Sequence, residues 1–102
     1  MIIQQNKILT INDRRTSMRL CSQEWEALKD ICTRERIHRN HIIEILDKME
    51  NTNLGLTSLT RLFLLMYYKS IVNSSLQHCD HPQNFHLQII ENIKLAGINV
   101  TK

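Results

Sequence analysis

Arg15, Ser17 and Arg19 alternate with other residues in the stretch Arg14-Arg15-Thr16-Ser17-Met18-Arg19-Leu20. Successive side chains of a strand point to opposite faces, so these three share one face while Thr16, Met18 and Leu20 share the other. Guanidinium groups flanking a hydroxyl on a wet face add little to stability. They do match the edges of DNA bases: arginine grips guanine O6 and N7 with paired hydrogen bonds, and serine donates or accepts. The same pattern also fits a solvated edge strand, whose charges discourage aggregation. On the residues alone both readings stand. Further along, Arg34, Arg36, His38, Arg39 and His41 gather cationic and titratable groups. They suit an anion, or equally the C-terminal end of a helix.

Other chemistry-bearing residues are less organised. His78-Cys79-Asp80-His81, with His86 nearby, holds nitrogen and sulfur ligands of the kind that suit zinc, copper or nickel. The spacing matches no structural zinc signature, and the plainer reading is a polar linker with incidental histidines. Cys21 and Cys32 lie beside no histidine and acid in a nucleophile arrangement, and read as small buried or capping residues. No carboxylate pair, phosphate loop or nucleophile–base set is visible, so an enzyme is disfavoured and neither metal nor cofactor is expected.

The elements that must position these residues fit one domain with an appendage. The chain has 102 residues, 42% hydrophobic and 23% charged, which is ordinary globular composition. Only 2 glycines and 1 proline argue against an all-β fold. Net charge is +3, but from Lys7 to His41 eight Lys or Arg face five acidic residues, a bias compatible with an anionic partner. The 3 cysteines, Cys21, Cys32 and Cys79, show no paired spacing, and the sequence opens without a charged-then-apolar leader. The expectation is a cytoplasmic protein with reduced thiols. The longest nearly apolar run, Leu62 to Tyr68, is too short to span a bilayer, so no membrane is expected.

Residues 7–12 read as a strand, Asn12-Asp13 as a turn and Arg15–Leu20 as a second strand, making a local hairpin. Ser22 is placed as the N-cap of a helix running to about Arg36, with Trp25, Leu28, Ile31, Cys32 and Ala27 as its buried stripe. A second helix covers Arg39 to Glu50 through Ile42, Ile43, Ile45, Leu46 and Met49. Thr57 or Ser58 caps a third, reaching Val72, whose apolar residues run nearly all the way round. A helix of that pattern needs cover on several sides, and a partner subunit is expected over part of it. Residues 73–83 read as a polar connector. Phe85, Ile89, Ile90 and Ile93 then predict a short helix stopped by Gly97. The organisation is therefore 1–14 strand and turn, 15–72 main domain, and 73–102 linker and short helix.

Strand, helix, turn, helix in this order resembles the ribbon-helix-helix (MetJ/Arc-like) DNA-binding family. The likeness is to its small bacterial branch, with an extra strand before the ribbon and an extra helix after it. Thr10-Ile11, Arg15-Thr16-Ser17-Met18, Leu20, Trp25-Glu26-Ala27-Leu28, Ile31, Leu56-Thr57-Ser58, Arg61-Leu62-Phe63 and Tyr67-Tyr68 carry it, over roughly Lys7 to Lys69. The resemblance implies a mainly α fold in an intertwined homodimer, one ribbon strand from each chain pairing antiparallel and entering the major groove. It implies base contacts from Arg15, Ser17 and Arg19. It implies phosphate contacts from His38, Arg39 and Asn40 at the start of the second helix, with Arg14 added from the ribbon. Met18, Leu20, Trp25, Leu28, Ile42 and Leu46 would form the dimer core. The sequence departs from the family at the inter-helix turn, where Arg36 replaces the usual glycine and His38 the usual serine or threonine cap.

The function expected is a homodimeric, sequence-specific DNA-binding protein acting as a transcriptional repressor, with double-stranded DNA as partner. The rival is a dimeric interaction module that no longer recognises an operator, its C-terminal segment docking a protein in the manner of an antitoxin. A metal-responsive regulator using His78, Cys79, His81 and His86 ranks third.

Overall fold

A computed structural model describes residues 3–49, 54–77 and 85–100. Strands β1 (Gln4–Ile11) and β2 (Arg14–Cys21) pair antiparallel, in register from Gln4 opposite Cys21 to Ile11 opposite Arg14. Asn12 and Asp13 join them with φ of 51° and 64°. Such a left-handed pair is the two-residue turn whose twist matches a hairpin, and short polar side chains tolerate it best. Alternation then sorts the faces. Leu9, Ile11, Met18 and Leu20 are buried beneath the ribbon. Asn6, Ile8, Thr10, Arg15, Ser17 and Arg19 are exposed on its outer face.

Four helices follow. In α1 (Ser22–Glu35), Trp25, Leu28 and Ile31 are buried. Its cap is Cys21 rather than Ser22, because β2 stays extended through Cys21 (φ −70°, ψ 159°) and Ser22 is already helical. The Cys21 backbone N–H donates to Glu24 Oε1 at 2.9 Å. In α2 (Arg39–Asp47), Ile42, Ile43 and Leu46 are buried, and the helix ends before Glu50. Helix α3 (Leu56–Gln77) overruns the expected end at Val72 into the supposed connector. Helix α4 (Phe85–Val100) passes through Gly97, which therefore does not stop it. An interior glycine costs a helix only about 1 kcal/mol relative to alanine, and further helix follows here.

Helix α1 packs beneath β2 and α2 beneath β1, while α3 closes the far side and carries α4. The six residues expected to form a dimer core are buried in the chain: Met18 2%, Leu20 0%, Trp25 6%, Leu28 0%, Ile42 0% and Leu46 0% exposed. Leu59, Phe63, Leu64 and Tyr67 of α3 join the same core, whereas Leu65, Tyr68 and Val72 on its other side are exposed. Phe85, Ile89, Ile90 and Ile93 bury the apolar side of α4. No helix among the described residues is long and apolar enough to cross a membrane.

One polar cluster lies inside this packing. Glu35 at the end of α1 accepts from Tyr67 Oη at 2.5 Å. The same carboxylate lies 2.7 Å from His86 Nδ1, with both side chains under a tenth exposed. Burial pushes the Glu35 carboxyl up, but the hydrogen bonds from Tyr67 and His86 outweigh it and hold it below its ordinary value. The same burial, with the Glu35 charge, raises the Tyr67 phenol. His86 is thus occupied in tying α4 to α1. His78, Cys79, Asp80 and His81 lie outside the described residues. Among the described ones no group of three or more metal-ligating side chains forms.

Candidate nucleic-acid interface

The ribbon is clamped at both ends. At its tip, Asn12 Nδ2 donates to Asp47 Oδ2 at 3.2 Å, and Arg14 Nη2 pairs with Asp47 Oδ1 at 2.9 Å. At the other end, Trp25 Nε1 donates to the Gln5 carbonyl at 3.0 Å and the Ser22 N–H to the Ile3 carbonyl at 2.8 Å. Arg61 of α3 adds a third tie. Its guanidinium lies 3.0 Å from Glu24 Oε2 and donates to the Arg19 carbonyl at 3.5 Å. Burial raises the Glu24 carboxyl, but the Cys21 N–H and the Arg61 charge bring it below its ordinary value. The outer face is therefore carried on a framed hairpin, and Arg15, Ser17 and Arg19 project from it together.

The turn between α1 and α2 carries the second candidate group. Arg36 is left-handed (φ 58°, ψ 46°), the conformation glycine adopts without strain, and its N–H closes α1 on the Cys32 carbonyl. His38 caps α2 by accepting the Asn40 N–H on Nδ1 at 3.1 Å. The imidazole thus does what a serine or threonine hydroxyl does elsewhere. Arg39 is half-buried, its guanidinium 5.5 Å from the centre of the Trp25 ring, with Lys7 Nζ 5.4 Å from the same ring. These groups line a cleft of about 860 Å³ in which Lys7, Lys29, Arg36 and Arg39 face a single carboxylate, Glu26, with His38 also in the lining. Such a surplus of cations beside a helix N-terminus favours an anion. Cys32 also lines the cleft, and burial raises its thiol despite the nearby Arg39 charge, so it is no activated nucleophile.

The structure brings His38, Arg39 and Asn40 together as expected but parts them from Arg14, which sits at the opposite end of α2 against Asp47. Sequence reasoning also set the start of β1 too far along the chain. The strand begins at Gln4, not Lys7, so Asn6 lay outside the predicted element. Reflecting β2 through the Asn12-Asp13 turn would have placed Asn6, Ile8 and Thr10 opposite Arg19, Ser17 and Arg15. Lys7 and Lys29 carried no comparable signal, because their convergence on the cleft depends on how β1, α1 and α2 pack.

A family model described as "Ribbon-helix-helix domain" matches residues 4–68. The chain belongs to the ribbon-helix-helix family. The matched span takes in both strands, α1, α2 and the first half of α3, and stops before α4. Ribbon-helix-helix domains are typically DNA-binding modules of transcription regulators, which is the class of chemistry that the framed ribbon and cationic cleft can perform. Comparison with curated proteins and with solved structures returned no match.

Proposed function

We propose that this protein is a sequence-specific DNA-binding regulator that acts in the cytoplasm as a transcriptional repressor, binding its operator as a homodimer. The observation that carries the reading is the outer face of the ribbon. Arg15, Ser17 and Arg19 are all exposed there, on a hairpin held from both ends. A rigid two-stranded ribbon fits the major groove, where donor and acceptor patterns distinguish all four base pairs. The cleft at the start of α2 supports phosphate contacts from His38 and Arg39, which fix register without reading sequence. Arg14, paired to Asp47, contributes mainly to the hairpin tip. The homodimer draws support from family membership and from the exposed stripe Leu65, Tyr68 and Val72 on α3, an apolar surface left uncovered by the chain itself.

The test is a selection on randomised duplexes with purified protein. Arg15→Ala or Arg19→Ala should each relax preference at a G·C position by about 1–3 kcal/mol while leaving the fold intact. With about six phosphate contacts per dimer, log affinity should fall with log salt at a slope near −5. Absence of any binding at low salt, with the protein folded, would sink the reading in favour of an interaction module.

A further inference from the structure

Glu35 is the last residue of α1, and its side chain is 7% exposed. Its carboxylate meets three donors from two other helices. Tyr67 Oη of α3 donates to Oε2. His86 of α4 serves Oε1 twice, from Nδ1 at 2.7 Å and from its backbone N–H at 3.3 Å. A carboxylate only accepts, so Nδ1 carries the proton. The charge also lies at the first turn of α4, where the positive end of the helix dipole favours it. Phe85 packs edge-on to the Tyr67 ring at 5.1 Å and closes the cluster. Helix α4 lies beyond residues 4–68, so this tie joins an appended helix to the ribbon-helix-helix unit.

The three residues after Glu35 are the whole turn into α2, and two of them, Arg36 and His38, line the cationic cleft. Arg36 is left-handed, which arginine disfavours. Such a conformation persists only where its surroundings impose it. On the far side, the Ile37 N–H reaches the Cys32 carbonyl at 3.1 Å and His38 caps α2. On the near side the anchor is Glu35. We infer that His86 is a positioning residue for the DNA-phosphate grip, holding Arg36 and His38 at the cleft through Glu35. This gives the appended helix a part in DNA binding, and it rests on the DNA-binding reading above.

The physical lever is a buried charge. Taking away the His86 imidazole leaves the Glu35 carboxylate short of a donor in a place that water does not reach. An uncompensated buried charge is costly, so Glu35 turns out to solvent and takes the end of α1 with it. Arg36 then relaxes to the right-handed conformation, α1 lengthens, and Arg36 and His38 leave the cleft. The hairpin is held elsewhere, by Asp47, Trp25 and Arg61, so its outer face does not depend on His86. Loss of the tie therefore weakens the phosphate grip and spares base reading.

The experiment measures duplex affinity and its salt dependence for the full chain, with circular dichroism melts as the control for folding. His86→Leu should weaken binding roughly 2- to 30-fold, alike on all sequences. The salt slope should lose about 1 in magnitude, while base preference in the randomised-duplex selection stays as in the parent. His86→Asn keeps an N–H donor near the place of Nδ1 and should bind like the parent. Tyr67→Phe keeps the ring, drops one donor and should weaken binding in the same way. It takes the place of His86→Leu if that variant melts below the assay temperature. The deciding arm repeats the substitution in an Arg36→Gly background. Glycine holds the left-handed turn without an anchor and has no cation to misplace, so His86→Leu should cost about twofold or less there. Equal losses in the two backgrounds would show that His86 acts on stability alone and would overturn the inference. So would parent affinity and slope in folded His86→Leu, or a loss in His86→Asn as large as in His86→Leu. If the parent itself binds no duplex at low salt, the DNA-binding reading falls and takes this role with it, an outcome separate from any variant result.

Discussion

Glu35 is where single side chains matter most to stability. Tyr67 and His86 converge on it across 32 and 51 positions of sequence, so no local pattern announced the cluster. Reading His86 as a stray linker histidine was reasonable from spacing and mistaken in place, because only the docking of α4 brings it to α1. The carboxyl is held below its ordinary value of 4.5. A depressed folded-state value contributes stability above the ordinary one and loses it as pH falls through the folded value. Stability measured by denaturant titration should therefore drop as pH falls below the ordinary value of 4.5, and Glu35→Gln should flatten that limb. An unchanged acid limb in Glu35→Gln would show that other carboxylates govern it. The outward residues of β2 behave oppositely: Arg15, Ser17 and Arg19 were legible because strand alternation alone fixes which side chains share a face.

Elements were legible wherever one local rule dominated. The Asn12-Asp13 turn follows from the backbone preferences of its residues and the apolar stripes of α1 and α2 from helical spacing, whereas Arg36 is held in a left-handed conformation that its residue type disfavours. Ends were less legible. Cys21 displaced Ser22 as a cap because the pairing of β2 runs one residue further, and α4 crosses Gly97 because nothing downstream breaks it. Arg36 joins two competing demands at one position: left-handed geometry favours glycine, while the cleft favours a cation. Arg36→Gly should raise stability by about 1 kcal/mol in thermal unfolding. The same substitution should weaken DNA binding and lower the magnitude of the salt slope by about 1. Stability that fails to rise would mean that the left-handed turn costs arginine nothing here.

For the whole molecule, the decisive feature is how much one chain covers for itself. The nearly all-round apolar pattern of α3 correctly predicted cover on several sides, but β2, α1, α2 and α4 provide most of it. What is left outside is narrow: Leu65, Tyr68 and Val72, 65%, 38% and 57% exposed. If a homodimer forms there, Leu65→Glu should give a folded monomer in sedimentation and weaken operator binding by removing the second half-site. A dimer that survives Leu65→Glu would move the contact elsewhere, with the open edge of β2 the next surface to test.

The order of the chain's elements, its turn and the outward set Arg15, Ser17 and Arg19 were determined by sequence alone, because each depends on the geometry of neighbouring residues. Which surface covers Met18, Leu28 or Ile42 does not. An apolar stripe records only that something must exclude water from it, not which elements of the chain lie against it. Tertiary packing decided that, and with it the place of β1 beside β2, the gathering of Lys7, Lys29 and Arg39 around Trp25, and the burial of His86 against Glu35.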